Sequence, residues 1–124
     1  MILIADDDEV FADILSLRLE KNGYETMVVL EGVDVIPTIQ REKVDLIILD
    51  LKIPNKPGIH ILSYLKSDPA KKDIPVIVMT GSYPDLKDQV LKMGAAAFFL
   101  KPYDADTLLR TIGKLVSGAV RTEV

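Results

Sequence analysis

Short apolar runs alternate with segments of helical period along the whole chain. Residues 1–5 (MILIA), 26–30 (TMVVL), 44–49 (VDLIIL), 75–80 (PVIVMT) and 97–100 (AFFL) are rich in β-branched and aromatic residues and bounded by turn formers, which predicts five strands. The stretches around Ile2, Ile4, Leu46, Leu49, Val76 and Met79 are continuously apolar rather than alternating. That is the pattern of parallel strands covered by helices on both faces.

Between the runs, apolar residues recur at helical spacing. Phe11, Ile14 and Leu15 follow the first strand; Val35, Ile36 and Ile39 the second; Ile59, Leu62 and Leu65 the third; Leu86, Val90 and Met93 the fourth. After the fifth strand come Leu108, Leu109, Ile112, Leu115, Val116 and Ala119, the best amphipathic pattern in the chain. Gly23 and Gly94 stand where the first and fourth helices should end, Asp68-Pro69 where the third should, and Asp104 is placed to cap the last helix. Five consecutive βα units with right-handed crossovers give a doubly wound parallel sheet with helices on two faces, an α/β three-layer sandwich.

Composition narrows the chemistry. The 124 residues, 48% of them hydrophobic, suit one domain, expected over 1–118 with a short tail over 119–124. No apolar run approaches the ~18 residues of a membrane helix, and the N-terminus lacks the character of a signal peptide, so the expected location is cytoplasmic with no membrane partner. With no cysteine and only His60, thiolate and histidine-rich metal sites are excluded, and a metal must be held by oxygen. The formal charge of −4, with Lys and Arg scattered, argues against direct nucleic-acid binding.

In a doubly wound sheet, ligands bind beyond the carboxyl ends of the strands. Asp6-Asp7-Asp8-Glu9 follows the first strand, Asp50 the third, Thr80-Gly81-Ser82 the fourth and Lys101-Pro102 the fifth. Converging carboxylates repel one another unless a divalent cation sits among them, and Mg²⁺ (or Mn²⁺) prefers such hard oxygen ligands together with a phosphate. Lys101 supplies a cation, Thr80 a hydroxyl and Asp50 an oxygen nucleophile, which are the parts phosphoryl transfer uses. Taken singly these residues have blander readings. Asp8 and Glu9 read as first-turn acids favoured by the helix dipole, Thr80-Gly81 as turn chemistry, and His60 as a solvent-facing helix residue. Their joint occurrence at four strand ends is the specific signal.

ILIADDDE, DLIILDLKIPNKPG, VIVMTG and FFLKP together resemble the receiver domains of two-component response regulators, over residues 2–116. The resemblance implies a flavodoxin-like (βα)5 fold of strand order 2-1-3-4-5, as in the chemotaxis regulators. It implies that Asp50 accepts a phosphoryl group from a sensor histidine kinase or histidine phosphotransfer protein. Asp6, Asp7, Asp50 and the backbone carbonyl of Lys52 would hold Mg²⁺, Thr80 and Phe98 would act as the switch, Lys101 would pair with the phosphoryl group, and Pro102 would be cis. Phe99, on the opposite face, would be core.

The readout would be the surface of the fourth helix, fifth strand and fifth helix, through which a homodimer is compatible. Such a domain is not an enzyme on a separate substrate; it catalyses only its own phosphorylation and dephosphorylation. Two positions depart from the family pattern. Pro57-Gly58 replaces the usual Asp-Gly, and Lys52 brings an ammonium two residues after the acceptor, where it is expected to alter the approach of hydrolytic water. A flavin carrier is disfavoured by the acids in the first loop, and a haloacid-dehalogenase-type hydrolase by Lys52 where a second Asp is needed. A receiver-like module that works by interaction without phosphorylation remains the alternative.

Overall fold

The computed structural model describes residues 1–116. Five parallel strands, β1 (Ile2–Ala5), β2 (Thr26–Val29), β3 (Leu46–Leu49), β4 (Val76–Thr80) and β5 (Ala97–Leu100), form one sheet in the order β2-β1-β3-β4-β5. The helices are α1 (Glu9–Lys21), α2 (Val35–Arg41), α3 (Gly58–Ser67), α4 (Lys87–Lys92) and α5 (Ala105–Leu115). The tail expected over 119–124, with Ala119 of the last helical pattern, lies outside the described residues.

Every residue of β1, β3 and β4 is buried, whereas the edge strands β2 and β5 are half-exposed. This is why the three central runs are continuously apolar: both faces of a central strand need apolar cover. Leu3 and Ala5 of β1 pack on one face with Val35 of α2, Ile61, Leu62 and Leu65 of α3, and Val90 of α4. Ile2 and Ile4 point the other way, onto Ala12, Leu15 and Leu19 of α1 and Leu108 and Ile112 of α5.

Local chemistry sets the helix ends. Asp8 caps α1 by accepting a hydrogen bond from the Phe11 N–H at 3.0 Å, and Asp104 caps α5 by accepting from the Thr107 N–H at 3.0 Å. Gly23 and Gly94 take φ of 90° and 110° after α1 and α4, a conformation that would strain a side-chain-bearing residue. Asp68 ends α3, since the residue before Pro69 is driven out of helical conformation. Pro37 is tolerated in α2 because it lies in the first turn, where a missing N–H breaks no helical bond.

Two sequence expectations are corrected. Ile14 is not part of the buried stripe of α1: at about 3.6 residues per turn, Ala12, Leu15 and Leu19 share the core face, while Ile14, Val10 and Leu17 stand opposite, 53%, 70% and 58% exposed. Ala12 carried too little hydrophobic weight to mark the true face. The fourth helix is also shorter than its pattern suggests, because Pro84–Leu86 forms a 3₁₀ turn and leaves only Lys87–Lys92 as α-helix.

Candidate active site at the carboxyl ends of the strands

Strand register places the acids. Ala5 pairs with Leu49, so Asp6 and Asp50, each one residue further on, leave the sheet side by side, tied by the Asp50 N–H to the Ala5 carbonyl at 2.9 Å. Thr80 pairs with Leu100, and the Lys101 N–H donates to the Thr80 carbonyl at 2.9 Å, which starts the lysine at the same edge. Gly58 lets α3 begin directly against this edge. A Cβ there would lie 2.6 Å from Leu51 Cα and 2.8 Å from the Asp50 carbonyl oxygen, closer than atoms can approach. Pro57 precedes it without a side-chain cap bond, and the Ile61 N–H reaches its carbonyl at 3.1 Å, so the departure from Asp-Gly changes the cap of α3 and not the groups around Asp50.

Asp6, Asp50 and Thr80 are buried, Lys101 is half-buried, and Asp7 and Lys52 are exposed at the mouth. The Lys101 ammonium lies 2.7 Å from Asp6 Oδ2 and 3.3 Å from Asp50 Oδ2. The second oxygen of each acid accepts a backbone bond: Asp6 Oδ1 from the Asp8 N–H at 2.9 Å, Asp50 Oδ1 from the Lys52 N–H at 3.0 Å. Burial pushes the Asp6 carboxyl above its ordinary value; Lys101 and the Asp8 N–H oppose the shift and the Asp50 charge adds to it. For Lys101, burial alone would lower the ammonium, but the Asp6 hydrogen bond and the charges of Asp50 and Asp6 outweigh it and raise it.

Asp6, Asp7 and Asp50 each offer a carboxylate oxygen, and the three oxygens lie within 4.8 Å of one another. Hard oxygen donors so close together, with more negative charge than one lysine neutralises, fit a divalent cation of the Mg²⁺ type. Thr80 Oγ1 accepts from the Ser82 N–H at 3.2 Å, a bond that leaves the hydroxyl proton uncommitted. Phe98 pairs in register with Val78, and it packs with Val76 and Val78 on the α2–α3–α4 face. By strand alternation Thr80 projects to that same face. Phe99 packs on the opposite face, and the Lys101–Pro102 peptide is cis. His60 is exposed on α3.

The structure thus brings together Asp6, Asp7, Asp50 and Lys101, with Thr80 at the same strand ends and Phe98 further back on the face Thr80 projects to. Sequence reasoning missed Phe11, whose ring centroid is 4.2 Å from the Lys101 ammonium. The pattern marks it only as a helix-packing residue, and nothing local to α1 singles out an aromatic that meets the lysine following β5.

The family model described as the response regulator receiver domain matches residues 2–113. The chain is 31% identical to the sensory transduction protein RegX3 of Mycobacterium tuberculosis over 99% of its own length and 60% of that protein's, so it spans under two thirds of that relative. It is 33% identical to sporulation initiation phosphotransferase F of Bacillus subtilis, over 91% of this chain and 90% of the other. The crystal structure of the signal receiver domain of a signal transduction histidine kinase from Syntrophus aciditrophicus superposes with a TM-score of 0.86 at 35% identity, covering 98% of this chain and 93% of that one.

Proposed function

Because the chain belongs to the response regulator receiver domain family of two-component signalling, we propose that Asp50 is its phosphoacceptor and that Asp6, Asp7, Lys101 and Thr80 complete the transfer site. The observation that carries this reading is the cluster itself: three carboxylates within metal-ligand reach at the strand ends, with one ammonium shared between two of them. A fold gains nothing from burying like charges unless another cation and an anionic group complete the set.

In the proposed reaction an Asp50 carboxylate oxygen attacks the phosphorus of a partner's phosphohistidine. The new P–O bond forms as the P–N bond breaks, and the electron pair returns to the imidazole nitrogen, which takes a proton. Asp6, Asp7, Asp50 and the Lys52 carbonyl would hold Mg²⁺, which would supply positive charge for the phosphoryl oxygens. Lys101 is already at Asp50, and once that carboxylate becomes an acyl phosphate the ammonium exchanges a lost carboxylate charge for phosphoryl oxygen. The Thr80 proton, not used by the Ser82 bond, is available to the same group.

Drawing Thr80 toward the phosphoryl group opens space on the face it shares with Phe98, and the ring turns inward to fill it. The phosphorylated form thereby favours one member of a pre-existing pair of conformations. The affected surface is α4, β5 and α5, where Leu91 and Leu100 are 37% and 44% exposed and present apolar contacts to an output partner or a second copy. The donor is a sensor histidine kinase or a phosphotransfer protein, and the only chemistry catalysed is the domain's own phosphorylation and dephosphorylation. Among the described residues no helix is long and apolar enough to cross a membrane; the site of action proposed is cytoplasmic, where such a kinase or phosphotransfer partner would meet the domain.

Intact mass after incubation with acetyl phosphate and Mg²⁺, beside Asp50→Asn and a sample in EDTA, tests the reading. The expected result is a gain of one phosphoryl group in the wild type alone, lost with either change. A folded wild type that gains nothing from acetyl phosphate or from any histidine donor tried would point to the phosphorylation-independent interaction module.

A further inference from the structure

Lys101 is held by more than its two carboxylates. Its ammonium carries three N–H donors; Asp6 and Asp50 account for two partners, and the face of Phe11 stands on the remaining side, with its centroid 4.2 Å away. That is well inside the ~6 Å over which a cation is attracted to an aromatic face.

The ring is itself braced. Phe11 meets Tyr103 edge to face, with centroids 5.9 Å apart and planes at 86°, and Tyr103 in turn carries the Arg18 guanidinium at 5.8 Å and accepts a bond from Arg18 Nη1 at 3.3 Å. Beside this stack opens a cleft of about 440 Å³, lined among others by Phe11, Ile14, Arg18, Lys101 and Tyr103. A lysine on a flexible four-carbon stem beside such a cleft has an alternative: to swing out and take water as its partner. The Phe11 ring makes the inward position more favourable than that alternative.

We propose that Phe11 is a positioning residue, whose ring face holds the Lys101 ammonium over Asp50 and keeps it out of the adjoining cleft until the phosphoryl group arrives. The inference rests on Asp50 being the phosphoacceptor and deepens that reading. It differs from ordinary packing in one respect: it depends on the electron density of the ring face, not only on the ring's volume. A residue that merely fills space between α1 and the β5–α5 connection is indifferent to that density.

The test introduces phenylalanine bearing one, two or three fluorine atoms at position 11 alone, leaving Phe98 and Phe99 native. The readout is the second-order rate of phosphoryl uptake from acetyl phosphate in Mg²⁺, with thermal melting as the check on folding. Fluorine withdraws density from the face while nearly preserving shape, so the rate should fall stepwise, by roughly threefold to tenfold at three fluorines, the range that loss of a partly desolvated cation–π contact gives. A flat series in folded protein overturns the inference while leaving Asp50 in its role. If wild type itself takes up no phosphoryl group, the Asp50 reading fails and this inference with it, an outcome distinct from the flat series. Independently, the ε-methylene protons of Lys101 should show an upfield ring-current shift in NMR that disappears in Phe11→Leu; an unshifted wild-type signal would also overturn the inference.

Discussion

In the connection from α3 to β4, Asp68 accepts the Ala70 N–H at 2.9 Å and the Lys71 ammonium at 3.0 Å, and the backbone bond, then the lysine, hold its carboxyl below the ordinary value. At the carboxyl ends of β1 and β3, Asp6 meets Lys101 at the shorter distance of 2.7 Å and its carboxyl nevertheless lies above the ordinary value. Both acids have a lysine and a backbone N–H. The difference is that Asp68 is half-buried and has its lysine to itself, whereas Asp6 is buried and shares Lys101 with Asp50, with Asp7 close by. The first arrangement is complete. The second is a surplus of negative charge held in place by the strands, an arrangement that fits the divalent cation proposed for it.

The comparison breaks most visibly at the lysines. Lys101→Ala should slow phosphoryl uptake by roughly 10²–10³-fold, the usual effect of removing one preorganised stabiliser of developing charge. It should also cost about 2 kcal/mol of stability in EDTA, less than a fully buried pair because Lys101 is partly solvated. Lys71→Ala should leave uptake unchanged and stability within the scatter of surface substitutions. Parallel kinetics and melts of the two variants check this, and equal effects would remove the distinction drawn between the two acids.

Surplus charge makes a second prediction, opposite in sign to the usual effect of mutating a buried group. In EDTA, Asp50→Asn should melt higher than wild type, by about 1 kcal/mol at the effective dielectric of a partly solvated site, because Lys101 keeps Asp6 as its partner. Adding Mg²⁺ should reverse the order, since binding to the folded state contributes about 2.7 kcal/mol at a hundred times its dissociation constant and Asp50→Asn lacks a ligand. A wild type indifferent to Mg²⁺, or an Asp50→Asn that melts lower in EDTA, would show that the cluster is balanced after all.

How much of this was legible beforehand follows from what each feature depends on. The acids could be placed from sequence because they terminate continuously apolar strands, and a parallel ladder that pairs Ala5 with Leu49 brings Asp6 and Asp50 out side by side. The Asp104 cap and the stops at Gly23, Gly94 and Asp68 were legible for the same reason: each is decided within a few residues. The exposed stripe of Val10, Ile14 and Leu17 was not, because Ala12 hides the buried face from a hydrophobicity pattern. Nor was the Phe11–Lys101 contact, which joins residues ninety positions apart through the reach of one long side chain and leaves no period in either segment. The sheet order follows from resemblance to a family, whereas the meeting of those two side chains is decided by tertiary packing alone.

Lys52 sharpens the comparison at the mouth of the site. It donates its backbone N–H to Asp50 at 3.0 Å while its side chain stays exposed, so an unburied ammonium stands two residues after the proposed acceptor. If that charge governs how hydrolytic water approaches the acyl phosphate, Lys52→Asn should change the dephosphorylation rate severalfold while leaving Mg²⁺ affinity, to which Lys52 would contribute only its backbone carbonyl, nearly intact. Equal lifetimes for the two phosphorylated proteins would end this idea.

The smallest effect belongs to Asp68, and its pH dependence has a definite sign. The folded carboxyl titrates below the unfolded value of about 3.9, so the ionised form is the one the fold favours. Its contribution is therefore present above the unfolded value and is lost as pH falls through the folded one. Asp68→Asn retains an oxygen for the Ala70 N–H and removes only the charge. Wild type should melt slightly higher than Asp68→Asn at neutral pH, and the gap should close as pH is lowered through the acid range. A gap independent of pH would assign Asp68 to turn geometry rather than to charge. A closing gap would show a carboxylate that the fold stabilises in its charged form, the reverse of the metal-free cluster, where removing the Asp50 charge is expected to raise the melting point.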